Sequence, residues 1–245
     1  MMSTTAADNA DARRDNILLC NHLKRLQSSK EESLLLDGGT GEELFLRGVP
    51  DDRKIWSATA IVHEKYHFIV DDVHRSFISA GSQSITTNSY GITPGVGFTD
   101  GNEVKRLVEK SGEIARRAVT DTSSSTPRAL VMGSLGPLVE SYRPDLIMKH
   151  DDGVHAYQFA VDGLYPYIDI YLAETMSCLE EACQAIEATS KFYSDRRQSD
   201  SSMLKHPMMV SFTLNSEGQT RGREPVTDAI PKLIQYAHDK DVECE

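Results

Sequence analysis

Leu34-Leu35-Leu36 runs directly into Asp37-Gly38-Gly39-Thr40-Gly41, and the acidic, apolar-spaced Glu42-Glu43-Leu44 follows at once. A buried strand, a tight turn and a helix start read off in that order, the glycines admitting backbone geometry that other residues avoid. Such a turn sets amide N–H groups and one carboxylate at the carboxyl end of a strand, where α/β proteins bind small ligands. Asn88, Ser134, Glu174 and Asn215 also fall at or just after expected strand ends, with Tyr90 close behind the first of them. A different chemistry is offered by His63-Glu64-Lys65-Tyr66-His67, which fits H-E-x-x-H. Two histidines at i, i+4 on one helix can share a zinc ion while the glutamate serves as the base of a peptidase. The extended form of that motif wants glycine at position 70 and histidine at position 73; Val70 and Val73 stand there, and His74 is one step out of register.

These residues need elements to position them, and the apolar spacing supplies a regular series. Strands are expected at Ser33–Asp37, Ser84–Asn88, Ala129–Gly133, Tyr167–Tyr171 and Pro207–Thr213, with a sixth at Asp241–Cys244. Helices are expected from Gly41, and at Val62–Ser79, Glu103–Thr120, His150–Leu164, Ser177–Lys191 and Thr227–Asp239. Strands alternating with helices of ten or more residues build βαβ units and a parallel sheet with right-handed crossovers. The polar residues crowd the carboxyl ends of the strands, which suits a (β/α)8 TIM-type barrel, whose loops all face one mouth, better than an open doubly wound sheet. Residues 1–30 are polar and charged, with Leu18, Leu19, Leu23 and Leu26 at helical spacing. They read as an N-terminal extension to a domain covering 31–245.

The chain has 245 residues, 39% hydrophobic and 26% charged, which suits a soluble globular domain with a substantial core. Its 37 Asp+Glu against 26 Lys+Arg give a net charge of −11, and no basic stripe appears, so nucleic acid and anionic membrane are poor partners. No apolar run approaches the roughly 18 residues of a membrane span. The N-terminus lacks an apolar signal core, and Cys20, Cys178, Cys183 and Cys244 are too few and scattered for a disulfide framework. A cytoplasmic setting is expected.

Asp37–Leu44, Ala80-Gly81-Ser82-Gln83-Ser84-Ile85-Thr86-Thr87-Asn88-Ser89-Tyr90, Gly133-Ser134-Leu135-Gly136-Pro137 and Ala173-Glu174-Thr175-Met176 occur in that order. With them, the chain resembles the homocysteine S-methyltransferase family. The match runs from about Ser33 to Ser216. Val73-His74 and Tyr142-Arg143-Pro144-Asp145-Leu146 are most similar to the standalone enzymes that use sulfonium donors such as S-methylmethionine or S-adenosylmethionine. The resemblance implies a barrel whose mouth binds homocysteine beside a zinc ion held by three cysteines, the metal keeping the substrate sulfur as a thiolate that takes a methyl group and becomes methionine. It places Asp37 and Gly38 in the homocysteine pocket, Glu174 on the substrate ammonium, Asn88 and Tyr90 toward the reaction centre, and Ser134 at the third strand, with Trp56 as a looser candidate for the donor wall. Each position also has a plain structural alternative. Asp37 could cap the next helix, Glu174 could sit in the first turn of one, Asn88 and Ser134 could be turn residues, and Tyr90 and Trp56 could be packing.

The family pattern is not complete. Cys244 stands about where the first zinc cysteine is expected and is the one candidate metal ligand; no adjacent cysteine pair occurs. Cys178 and Cys183 lie five apart on one helix, about 140° around it, and do not face one metal. Five strands and a sixth fall short of the eight that close a barrel. A C-terminally shortened barrel is therefore expected, with a non-catalytic homocysteine-binding or scaffold protein as the alternative, and self-association through exposed sheet edges after that.

Overall fold

A period of two in the strands divides their side chains between two surroundings. Ile85, Val131, Leu135, Tyr171, Ala173 and Met208 join the large core between sheet and helices, whereas Met132 and Ile170 cluster on the other face with Leu130, Leu172 and Met209. Both faces are apolar, as a parallel sheet covered by helices requires. The computed structural model describes residues 33–122, 128–197 and 203–244. The expected helix around Leu18–Leu26, and Cys20, lie outside the described residues.

The strands are β1 (Ser84–Thr86), β2 (Leu130–Leu135), β3 (Ile170–Met176) and β4 (Met208–Phe212). All pair in parallel in the order β1-β2-β3-β4, with Ile85 opposite Val131, Met132 opposite Ile170 and Tyr171 opposite Met208. The helices are α1 (Thr40–Leu46), α2 (His67–Ser79), α3 (Gly101–Thr122), α4 (His150–Leu164), α5 (Leu179–Arg197) and α6 (Val226–Asp239). From α2 to α6 each helix packs on the next. Strands in sequential order and helices side by side make a (β/α) barrel segment; a doubly wound sheet would reverse its strand order at a switch point. Among the described residues no helix is long and apolar enough to cross a membrane.

Three expected elements differ. Ser33–Asp37 lies beside β1 but forms no ladder, because side chains take the places of backbone partners. The Gln83 side chain accepts from Leu35 N at 2.9 Å, Asp37 accepts from Thr86 N at 2.7 Å, and only Gln83 N to Leu35 O at 2.8 Å joins the two backbones. Leu35 and Leu36, read as buried, are 57% and 46% exposed on this edge. Asp241–Cys244 likewise contributes a single bridge, Cys244 to Met208, at the start of β4. The helix expected at Val62–Ser79 is interrupted. Thr59–Val62 is one helical turn, His63 is extended (φ −103°, ψ 107°), and a 3-10 turn at Glu64–Tyr66 leads into α2. The H-E-x-x-H residues therefore do not share one helix face; His63 is exposed and His67 Nε2 bonds the Ile61 carbonyl at 2.9 Å. A zinc peptidase site is not formed.

Candidate functional site

The Asp37–Gly41 turn, the ends of β1 and β3, and the loops at Trp56 and Tyr142 enclose a cavity of about 550 Å³. Asp37, Gly38, Asn88, Tyr90 and Glu174 line it with Trp56, Thr86, Leu172 and Thr175. Ser134 does not reach the lining; its buried hydroxyl donates to Glu174 Oε1 and holds that carboxylate in place. Asn215 is not brought in either, its side chain serving its own turn through Gln219 and Glu217.

The two carboxylates are set by different means. Asp37 does not cap α1, whose N-cap is Gly39 without a side-chain bond. Its oxygens accept from Thr86 N at 2.7 Å and Thr86 Oγ1 at 2.8 Å, tying the turn to the end of β1. Gly38 is needed for proximity and not for a left-handed backbone: a Cβ there would lie 2.7 Å from the Phe77 ring of α2. Glu174 lies inside β3 and not in the first turn of a helix, because β3 continues to Met176 through a bulge between Ala173 and Met176. Bulges re-aim side chains next to binding sites. Burial raises Glu174 above the ordinary carboxylate range, opposed by the Ser134 hydrogen bond and reinforced by the nearby charge of Asp37. Burial also raises Asp37, against the two bonds from Thr86.

Across from the carboxylates the rings of Trp56 and Tyr90 stack, 6.5 Å between centroids and 16° between planes. The Tyr90 hydroxyl meets Ser141 Oγ at 2.6 Å, and burial raises the phenol's pKa above its ordinary value. Asn88 donates to the Ser57 carbonyl at 2.9 Å, which fixes the loop carrying Trp56. Trp56 (φ 47°), Tyr142 (φ 67°) and Thr175 (φ 65°) all line this cavity in left-handed backbone. Such conformations cost roughly 1–2 kcal/mol each in non-glycine residues and cluster where a ligand is clamped. Thr86, Ser141, Tyr142 and Thr175 were not singled out as site residues from sequence. Thr86, Thr175 and Tyr142 lie within the motifs that carry the resemblance, and Ser141 directly precedes the last of these, which is the signal that could have pointed to them.

The strain makes a prediction. Thr175 is β-branched, for which positive φ is a marked outlier. Replacing it by glycine should raise the thermal midpoint, with a gain of about 1 kcal/mol, while loosening the bulge that aims Glu174 and weakening ligand binding. Thermal unfolding and ligand titration of the same variant measure both; a variant that loses stability contradicts the strain.

The donor set for a metal does not fit. Cys244 is in register with Met208, which pairs with Tyr171, so it sits three residues below Glu174, roughly 10 Å toward the opposite end of the sheet. It is not part of the cavity lining. Burial raises Cys178 to about 11 and Cys183 to about 12, the reverse of what a zinc thiolate needs. Among the described residues no three His, Cys, Asp or Glu side chains gather to hold a metal ion.

The family model of homocysteine S-methyltransferase matches residues 34–240. Among curated relatives, the homocysteine S-methyltransferase of Escherichia coli (strain K12) is 36% identical over 124 residues, 48% of this chain and 39% of that protein. Homocysteine S-methyltransferase YbgG of Bacillus subtilis (strain 168) is 24% identical over 176 residues, 65% of this chain and 55% of that protein. The chain thus spans about two fifths to just over half the length of these two relatives. The crystal structure of the homocysteine methyltransferase MmuM from Escherichia coli in its metallated form superimposes with a TM-score of 0.70 at 28% identity, covering 88% of this chain and 74% of that one. A family match across most of the chain, on an incomplete barrel of the same fold, means that this chain belongs to the homocysteine S-methyltransferase family.

Proposed function

We propose that the cavity binds homocysteine as the methyl acceptor of the family reaction, with a sulfonium compound as donor. The observation that carries this reading is Glu174, largely withdrawn from water, held by Ser134 and facing the same cavity as Asp37. Asp37 already accepts two bonds from Thr86, so Glu174 keeps more acceptor capacity for an ammonium group with its three donors. The backbone amides of the Gly38–Thr40 turn suit the amino-acid carboxylate. The Trp56–Tyr90 stack offers an aromatic face to a methyl group on a cationic sulfur. In the transfer, a bond forms between homocysteine sulfur and the methyl carbon while the carbon–sulfonium bond breaks. The donor leaves as a neutral thioether and the thiol proton passes to solvent.

Zinc enters from the resemblance, and the described residues do not supply its three thiolates. They account for binding and orienting the acceptor and not for activating its sulfur, whose free thiol would be mostly protonated at neutral pH. That favours a second reading, homocysteine binding without turnover; methionine formation from S-methylmethionine and homocysteine would refute it.

Binding itself is the first test, and its pH dependence has a definite sign. An ammonium pairs with ionised Glu174, whose pKa is raised in the empty site. Affinity should therefore fall as pH drops through that raised value and level off above it, with protons released on binding within the window. Calorimetric titration of homocysteine in buffers of different ionisation enthalpy checks this. No binding, or equal binding of the des-amino thiol acid, overturns the reading.

A further inference from the structure

Beside the mouth a second hollow, about 370 Å³, is lined by Pro144, Asp145, Cys178, Arg221, Gly222 and Arg223. Its carboxylate is already neutralised: Arg143 bonds Asp145 through Nε at 2.9 Å and Nη2 at 2.7 Å. Among the described residues neither Arg221 nor Arg223 makes an ion pair, although the chain carries a net charge of −11. The Arg221 guanidinium lies over the Tyr142 ring, 5.6 Å from its centroid, and Tyr142 is part of the cavity wall. One aromatic ring thus separates an uncompensated guanidinium from the space beside Trp56 and Tyr90.

The position is built, although the side chain is exposed. Arg221 N donates to Thr213 O at 3.1 Å and Gly222 N to Ser177 O at 2.8 Å, pinning the loop to the ends of β4 and β3. Glu224 accepts from Leu179 N at 2.9 Å and from Thr220 Oγ1 at 2.8 Å, closing the loop from its other side. A Cβ on Gly222 would lie 2.7 Å from the Cys178 Cβ, so the loop seats this close only because that residue is glycine. Tyr142 and Arg223 are both held at left-handed φ, 67° and 66°.

We propose that Arg221, braced on Tyr142, takes the carboxylate of the methyl donor and is the residue by which this chain distinguishes a donor acid from its amide. The assignment deepens the homocysteine reading and rests on it for the identity of the second ligand. A guanidinium presents paired N–H donors that match a carboxylate, and an aromatic face beneath it holds the plane in place.

Trp56 is the single tryptophan of the chain and lines the cavity, so its fluorescence reports occupancy. S-Methylmethionine and its carboxamide would be titrated into the unaltered protein, Arg221→Gln and Arg221→Lys, with homocysteine titrated in parallel. We expect the unaltered protein to prefer the acid over the amide by about 10- to 100-fold. Arg221→Gln should bring the acid down to the level of the amide, Arg221→Lys should retain part of the preference, and homocysteine affinity should stay within about twofold in all three. Equal binding of acid and amide by the unaltered protein, or equal weakening of both by Arg221→Gln, overturns the proposal. Homocysteine failing to bind while the Arg221-dependent acid preference persists refutes the homocysteine reading and leaves this carboxylate site standing.

Discussion

Glu174→Gln is expected to lower affinity for the proposed homocysteine ligand by about 100-fold, near 3 kcal/mol, while making the empty protein more stable. The two effects have one cause. Burial and the neighbouring Asp37 charge raise the Glu174 pKa, so at neutral pH the ionised carboxylate is held in a fold that disfavours it. The sign follows from linkage. A carboxylate with a raised folded pKa contributes stability below its unfolded value, and that contribution is lost as pH rises through the folded value. Glutamine keeps an oxygen to accept from Ser134 and removes the charge, so the strain goes and the ammonium partner goes with it. Binding measured at pH 7.5 and urea midpoints measured from pH 4 to 8 separate this from simple damage. A variant that binds as before, or that loses stability at neutral pH, removes Glu174 from the ammonium site.

His74→Leu is expected to make the protein markedly more tolerant of acid. His74 is fully buried in α2, neither ring nitrogen has a hydrogen-bond partner, and burial lowers its pKa to about 4 against a small opposing pull from Asp71. For a base with a depressed folded pKa, the stability present above pH 6.5 is lost as pH falls toward the folded value. The gap between 6.5 and about 4 corresponds to about 3 kcal/mol for this residue alone. Leucine leaves no orphaned nitrogen, so about 1–2 kcal/mol is gained already at pH 7.5, and the advantage widens as pH falls to 4. His206, half-buried and lowered to about 4 by desolvation, retains its own acid sensitivity in the variant. Parallel acid curves for the unaltered protein and His74→Leu would show that His74 is not the titrating group; His74→Phe guards against a packing fault peculiar to leucine.

Much of this protein was legible before any coordinates. The α4 span, His150–Leu164, coincides with its expectation residue for residue, because apolar spacing and flanking breakers are local signals. The turn residues at Asp37–Gly41 and the positions of Asn88, Tyr90 and Glu174 near the carboxyl ends of strands were readable for the same reason, and all of them reach one cavity. The break at His63 was not readable, since Val62–Ser79 carries a helical pattern with no glycine or proline to mark the extended residue. The H-E-x-x-H spacing survived in the sequence while the geometry that gives it meaning did not form.

By itself, the sequence determined which residues sit where strands end, and through them the barrel architecture and the polar wall of the site. Only the tertiary structure decided what those residues touch. It tied Asp37 to Thr86, put Ser134 behind Glu174, bent β3 at Thr175, set Cys244 at the far end of the sheet and brought Arg221 against Tyr142. The physical reason is range. Period, turn chemistry and caps act within a few residues, whereas register, burial and charge proximity join residues tens of positions apart, and those set pKa, strain and the contents of the pocket.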